Sequence, residues 1–79
     1  MGAQSAASDL NPIMTVGSQI SEAIRLHNNI TRAEADKQAI KMLEMVGIPG
    51  QRFGNYPLEF SGGMKQRVVI AMALACKPE

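Results

Sequence analysis

Cysteine, aromatic residues and charge of one sign are what this sequence has least of. A single Cys, at position 76, excludes an internal disulfide framework and a cysteine-built zinc site. There is no Trp, and only Phe53, Phe60 and Tyr56 are aromatic, so any core is aliphatic, helped by six Met. Eight Lys and Arg stand against seven Asp and Glu, a net charge of +1. The basic excess that marks most nucleic-acid binders is missing. No apolar run approaches the roughly 18 residues of a transmembrane helix. No basic stretch followed by an apolar one opens the chain, so nothing points to export, and a reducing, cytosolic compartment is the default. At 79 residues there is room for one small domain. Such a domain buries roughly 60% of the surface its unfolded chain exposes. Two nucleotide-binding lobes do not fit.

What is present reads as three helices behind an N-terminal arm. Residues 1–12 are rich in Ala, Ser, Gln and Asn without apolar period, and a mobile arm is expected over 1–14. Thr15 is an N-cap candidate for a helix from Val16 to His27, with Val16, Ile20, Ala23, Ile24 and His27 on one stripe. Gly17 weakens its first turn. Asn28-Asn29 is a plausible left-handed stop. Thr31-Arg32-Ala33-Glu34 has the form of a capping box. Ala35, Ala39, Met42, Leu43 and Val46 follow at helical spacing, and Gly47 with Pro49 ends the run. Residues 51–60 form a connection that Phe53 and Tyr56 are expected to pin to the helices. The third helix is expected over Met64–Cys76; Val68-Val69-Ile70 alone would suit a strand, but the run is too long for one.

That third helix has two oddities. It is apolar on every side from Val68 to Cys76, the pattern of a helix buried all round, and two short companions cannot wrap it. Lys65 and Arg67 also sit in its first turn, the wrong end for cations in the field of the helix. Ser61, Gly62 and Gly63 precede them with small side chains and free backbone N–H groups. An anion docked at that terminus would make sense of this. A serine cap with flexible glycines and two solvated cations accounts for it equally well.

The octapeptide Phe60-Ser61-Gly62-Gly63-Met64-Lys65-Gln66-Arg67 resembles the signature motif of ATP-binding-cassette (ABC) ATPases, Leu-Ser-Gly-Gly-Gln with a following Gln-Arg. Tyr56-Pro57-Leu58-Glu59 before it, and Met64 within it, look like the oligopeptide/dipeptide (and nickel) importer branch. Leu10-Asn11-Pro12-Ile13-Met14-Thr15-Val16-Gly17 is similar to the segment after the Q-loop in that branch, and Gln4 falls where the Q-loop glutamine would be. Residues 71–79 look like the helix leading to the Walker B strand. The departures are Phe60 for Leu, which should tune packing only, and Met64 for Gln, ordinary in this branch. The resemblance covers residues 4–79.

The resemblance implies an all-α helical subdomain over 15–79, with a Q-loop remnant in the arm, cut from a larger ATPase. No Gly-x-x-x-x-Gly-Lys-Ser/Thr occurs, and none of Lys37, Lys41, Lys65 and Lys77 follows a glycine. No apolar strand ends in Asp-Glu, and His27 is too early for a switch histidine. The chain itself is therefore expected to be no enzyme, while its parent hydrolyses ATP to drive peptide import. In the family, two ATPase subunits close head to tail, and the signature of one contacts the γ-phosphate held by the other. By resemblance Ser61 offers a hydroxyl and Gly62 and Gly63 offer N–H groups, with Met64 and Gln66 completing the contacting set and the charges of Lys65 and Arg67 assisting. ATP and Mg2+ belong to the parent, with no tight binding expected here. The implied partners are the core ATPase domain of the same chain, the opposing ATPase subunit and the membrane permease subunits, on the inner face of the membrane. No nucleic-acid partner is implied.

The alternatives are a three-helix DNA-binding module and a helical dimerisation module. Against the first stand the charge and an apolar middle where a recognition helix needs polar groups. Among other residues, His27 reads as a helix-end histidine and Cys76 as a buried small hydrophobe. Met14, Met42, Met45, Met64 and Met72 read as core filling. Glu34, Lys37, Lys41 and Glu44 read as a solvated face with local ion pairs.

Overall fold

The computed structural model describes residues 10–75, and three α-helices dominate it: α1 (Val16–His27), α2 (Arg32–Met45) and α3 (Gly62–Ala75). Two 3₁₀ turns, Gly50–Gly54 and Pro57–Glu59, lie between α2 and α3. There is no strand among the described residues, as expected of an all-α chain. Cys76 lies outside them, as does Gln4.

α1 begins where its cap places it. The Thr15 hydroxyl oxygen accepts from the Ser18 N–H at 3.2 Å, occupying one of the donors a helix start leaves free. Val16, Ile20, Ala23 and Ile24 are buried. His27, assigned to the same stripe, is exposed, because the last turn of α1 runs beyond the core. The left-handed stop is not formed either. Asn28 is extended (φ −144°), and its side-chain amide donates to the Ile24 carbonyl at 2.8 Å. A side chain that satisfies an orphan carbonyl removes the need for a left-handed residue.

α2 starts with half of the expected box. Thr31 accepts from the Glu34 N–H at 3.1 Å, and no return bond from the Glu34 carboxylate to the Thr31 N–H is formed. Ala35, Ala39 and Leu43 are fully buried, so two of the three side chains that α2 buries completely are small. Glu34, Lys37, Lys41 and Glu44 face solvent without pairing to one another. The ion pair on this helix is instead Arg32–Asp36 at 3.6 Å, and Asp36 also accepts from the buried Ser21 hydroxyl of α1 at 2.7 Å. Gly47 ends the helix at φ +84°, a backbone angle that strains any side chain.

One core joins these elements: Leu10, Val16, Ile20 and Ile24, then Ala35, Ala39 and Leu43, then Ile48, Phe60 and Val68. Of the arm expected over 1–14, the described part is tied down. Leu10 is in the core, and the buried Gln19 side chain grips Asn11 from both sides. It accepts from the Asn11 N–H at 2.8 Å and donates to the Asn11 carbonyl at 2.7 Å. Met42, Met64 and Met72 pack against the core, whereas Met45 is 69% exposed and fills nothing.

Phe53 is half-buried and lies directly over Gly17, where any Cβ would overlap the ring. The glycine that weakens the first turn of α1 is thus a seat for the loop. Gly17→Ala pits a helix-propensity gain of up to about 1 kcal/mol against overpacking of about 1–3 kcal/mol. A net loss of stability is expected, read as a lowered thermal midpoint; a raised midpoint would show that Phe53 does not hold this seat.

Candidate functional site

The candidate site is the start of α3, and the connection before it determines where that start lies. After Gly47 the chain turns back at Pro49 through the first 3₁₀ turn, and the Asn55 carbonyl accepts from the Val16 N–H at 2.8 Å. Pro57 opens the second 3₁₀ turn and is buried. The Glu59 carboxylate then closes that turn with both oxygens. One accepts from the Tyr56 N–H at 2.9 Å and the other from the Asn55 side-chain amide at 2.7 Å. These two bonds, the backbone one first, hold its carboxyl below the ordinary value of 4.5 against a smaller opposing desolvation, and the Arg52 charge adds the smallest contribution, in the same direction as the bonds. Phe60 is buried, and the Arg52 guanidinium lies 5.7 Å from its ring centroid. Tyr56, expected to pin this connection, is 45% exposed; Phe53 and Phe60 do the pinning.

Ser61 caps α3. Its hydroxyl oxygen accepts from the Met64 N–H at 3.2 Å, and its carbonyl accepts from the Lys65 N–H at 2.9 Å. That bond leaves the hydroxyl proton unused. A helix start leaves its first N–H groups without intrahelical partners. With Met64 served by Ser61, those of Gly62 and Gly63 remain, and all three residues are exposed. Apart from the chain neighbours and the helix's own backbone, no heavy atom lies within 4 Å of a Cβ placed on Gly62 or Gly63, and neither has a positive φ. Nothing in this fold requires glycine at either position.

The remaining sequence-derived candidates separate. Met64 turns its side chain to the core, and Gln66 is exposed one turn along α3. Arg67 is not arranged around the terminus. Its Nη1 would lie 3.8 Å from a Cβ on Gly47, so the guanidinium sits at the C-terminal end of α2, where the helix field favours a cation. That resolves half of the misplaced-cation oddity. Lys65 remains half-buried in the first turn. A hydroxyl donor and two open N–H groups fit a phosphate oxygen. Among the described residues there is no cluster of three His, Cys, Asp or Glu to hold a metal ion.

The sequence motifs give Asn55 no role and Glu59 only a place in the tetrapeptide before the octapeptide. The signal was available: Pro at the first position of a turn with Glu two residues later is the pattern of a carboxylate reaching back to a turn's start.

A family model described as ABC transporter matches residues 1–79. The chain is 53% identical over 78 residues to the probable peptide ABC transporter ATP-binding protein y4tR of Sinorhizobium fredii, covering 96% of this chain and 23% of that protein. To the dipeptide transport ATP-binding protein DppD of Bacillus subtilis it is 51% identical over 72 residues, 89% of this chain and 22% of that protein. To the glutathione import ATP-binding protein GsiA of Escherichia coli it is 52% identical over 77 residues, 95% of this chain and 12% of that protein. The chain therefore spans less than a quarter of the length of each of these relatives.

Two outcomes follow from the geometry. Gly62→Ala and Gly63→Ala should each raise stability by about 0.4–1 kcal/mol, because the backbone already suits alanine; a loss in chemical denaturation would mean the glycines serve the fold. For Glu59 the folded-state value is lowered, so its contribution is present above the ordinary value of 4.5 and lost as pH falls through the lowered one. The thermal midpoint should therefore fall below about pH 4.5, and Glu59→Gln should flatten that slope. An equal slope in the variant would assign it to other carboxylates.

Proposed function

The chain belongs to the ABC transporter family, and from that premise we propose that it is the helical subdomain of a peptide-importing ATPase. Its role is to present the start of α3 to a phosphate group of ATP held by an opposing subunit. The observation that carries this reading is the pair of glycines at 62 and 63. The fold does not need them, a side chain on either would meet open space, and a glycine backbone admits the closest approach of an outside group. The Ser61 hydroxyl proton joins them as a third donor, and the helix field adds to the attraction of an anion.

In this assignment the chain's own residues bind and orient. Ser61, Gly62 and Gly63 receive phosphate oxygens when the subunits close, while Met64 anchors the turn in the core and Gln66 lines its outer side. ATP with Mg2+ supplies the phosphoryl group and its charge neutralisation. The residues that would hold the nucleotide and metal belong to the core ATPase domain, so the 79-residue chain alone turns over no ATP. α3 buries only Val68 and Ala71 and leaves Ile70 54% and Leu74 41% exposed, a face for the core domain of the same parent chain. A groove lined by Met14, Ala23, Leu26 and Met72 lies beside the Asn11–Met14 turn, on the side proposed to meet the permease subunits and to relay the ATP state to them. Gln4, the proposed Q-loop glutamine, lies upstream of that turn. No helix among the described residues is long and apolar enough to cross a membrane. Attachment to the inner membrane face would run through the permease.

The test is steady-state ATP turnover by the intact ATPase that carries this segment. Ser61→Ala should lower kcat by about a hundredfold or more, the scale for losing one preorganised donor, with the protein still folded. Unchanged turnover would remove the phosphate-contact role.

A further inference from the structure

Between the α1 start and Ser61 the chain makes an unbroken series of contacts. Phe53 sits on Gly17. The Asn55 carbonyl accepts from the Val16 N–H at 2.8 Å, and the Asn55 side chain donates to Glu59 at 2.7 Å. Glu59 also takes the Tyr56 N–H at 2.9 Å, and the Phe60 N–H donates to the Pro57 carbonyl at 2.9 Å. Phe60 is buried, and Ser61 is the next residue. Tyr56 and Leu58 are exposed, the latter at 89%, so burial does not hold them. From 55 to 60 the shape of the chain rests on backbone turn bonds, on the buried Pro57 and Phe60 rings, and on one carboxylate with both oxygens engaged, where the side-chain hydrogen bonds of the stretch end. The same stretch touches α1 at its first turn, directly after the Asn11–Met14 turn gripped by Gln19.

We propose that Glu59 is a positioning residue: by bracing the 53–60 connection against the start of α1, it fixes where Ser61 and the open N–H groups of α3 stand relative to the Asn11–Met14 turn. The proposal rests on the phosphate-contact reading of Ser61 and adds a mechanical link to it. A displacement of the α1 start would reach Ser61 through Asn55 and Glu59 rather than through the length of α1 and the core. Glu59 touches no nucleotide in this scheme.

The chemistry of the brace allows a specific rescue. In Asn55→Asp two carboxylates face each other, acceptor against acceptor, and no rotation of either side chain supplies a donor. Adding Glu59→Gln restores a donor there, its amide oxygen still accepts from the Tyr56 N–H, and the backbone carbonyl bond from residue 55 to Val16 is untouched. In the intact ATPase, Asn55→Asp and Glu59→Ala should lower kcat by roughly ten- to a hundredfold, the scale for a misplaced reacting group, with KM for ATP unchanged. Asn55→Asp/Glu59→Gln should recover most of kcat. Folding of each variant is read in parallel by circular dichroism. Should Glu59→Ala fail to fold, the Asn55→Asp single and the double variant decide. Ser61→Ala is assayed alongside. If Ser61→Ala loses turnover while Asn55→Asp and Glu59→Ala keep theirs, the brace is refuted and the phosphate-contact reading stands. If Ser61→Ala keeps turnover, that reading fails and the brace falls with it. A change confined to KM, or a kcat loss without recovery in the folded double variant, also overturns the proposal.

Discussion

Everything in this small protein depends on one clasp, the closure of the 50–60 connection over the first turn of α1. The Val16 N–H is an orphan donor of a helix start, and the Asn55 carbonyl takes it at 2.8 Å. Phe53 covers Gly17 beside it, and Phe60 enters the core a few residues later. Three helices of 12, 14 and 14 residues are too short to be stable singly. The clasp accompanies the packing of α1 against both α2 and α3, and its buried residues Val16, Ile20 and Ile24 belong to the one core. It also fixes the start of α3, the part of the molecule with chemistry to offer.

A second constraint is what the core leaves undone. α3 carries more apolar surface than α1 and α2 can cover, and its exposed Ile70 and Leu74 remain in solvent. At its other end, Gly62 and Gly63 occupy positions where alanine would fit. Both features are costs within this chain. An apolar face outside the core lowers solubility, and glycine in a helix weakens it. Each becomes sensible when the segment works inside a larger ATPase that covers the apolar face and brings a phosphate to the glycines.

Much of the fold was legible in the sequence because its signals are local. Thr15 and Thr31 are caps whose hydroxyls bond within three residues, and Gly47 is a stop that needs no partner. The apolar spacing of α2 matched its buried face. The misses came where a tertiary contact decided the outcome. Gly17 reads as a helix weakness until Phe53 is placed over it. Arg67 reads as a cation at the wrong end until α2 brings its own C-terminus alongside. Tyr56 reads as an anchor, yet Pro57 and Glu59 shape that turn and leave the ring outside. At the candidate site, the motif from Phe60 to Arg67 identified the terminus, while the brace beneath it depended on a side-chain pairing that apolar periodicity does not reveal.

The central claim is that the start of α3 is an outward-facing phosphate contact. It is tested most directly by a structure of the intact ATPase trapped with ATP bound and its two subunits closed. The expected result places the Ser61 hydroxyl and a Gly62 or Gly63 N–H about 3 Å from a phosphate oxygen held by the facing subunit. A closed complex in which these groups meet only solvent or protein, with every phosphate out of hydrogen-bond reach, would contradict it.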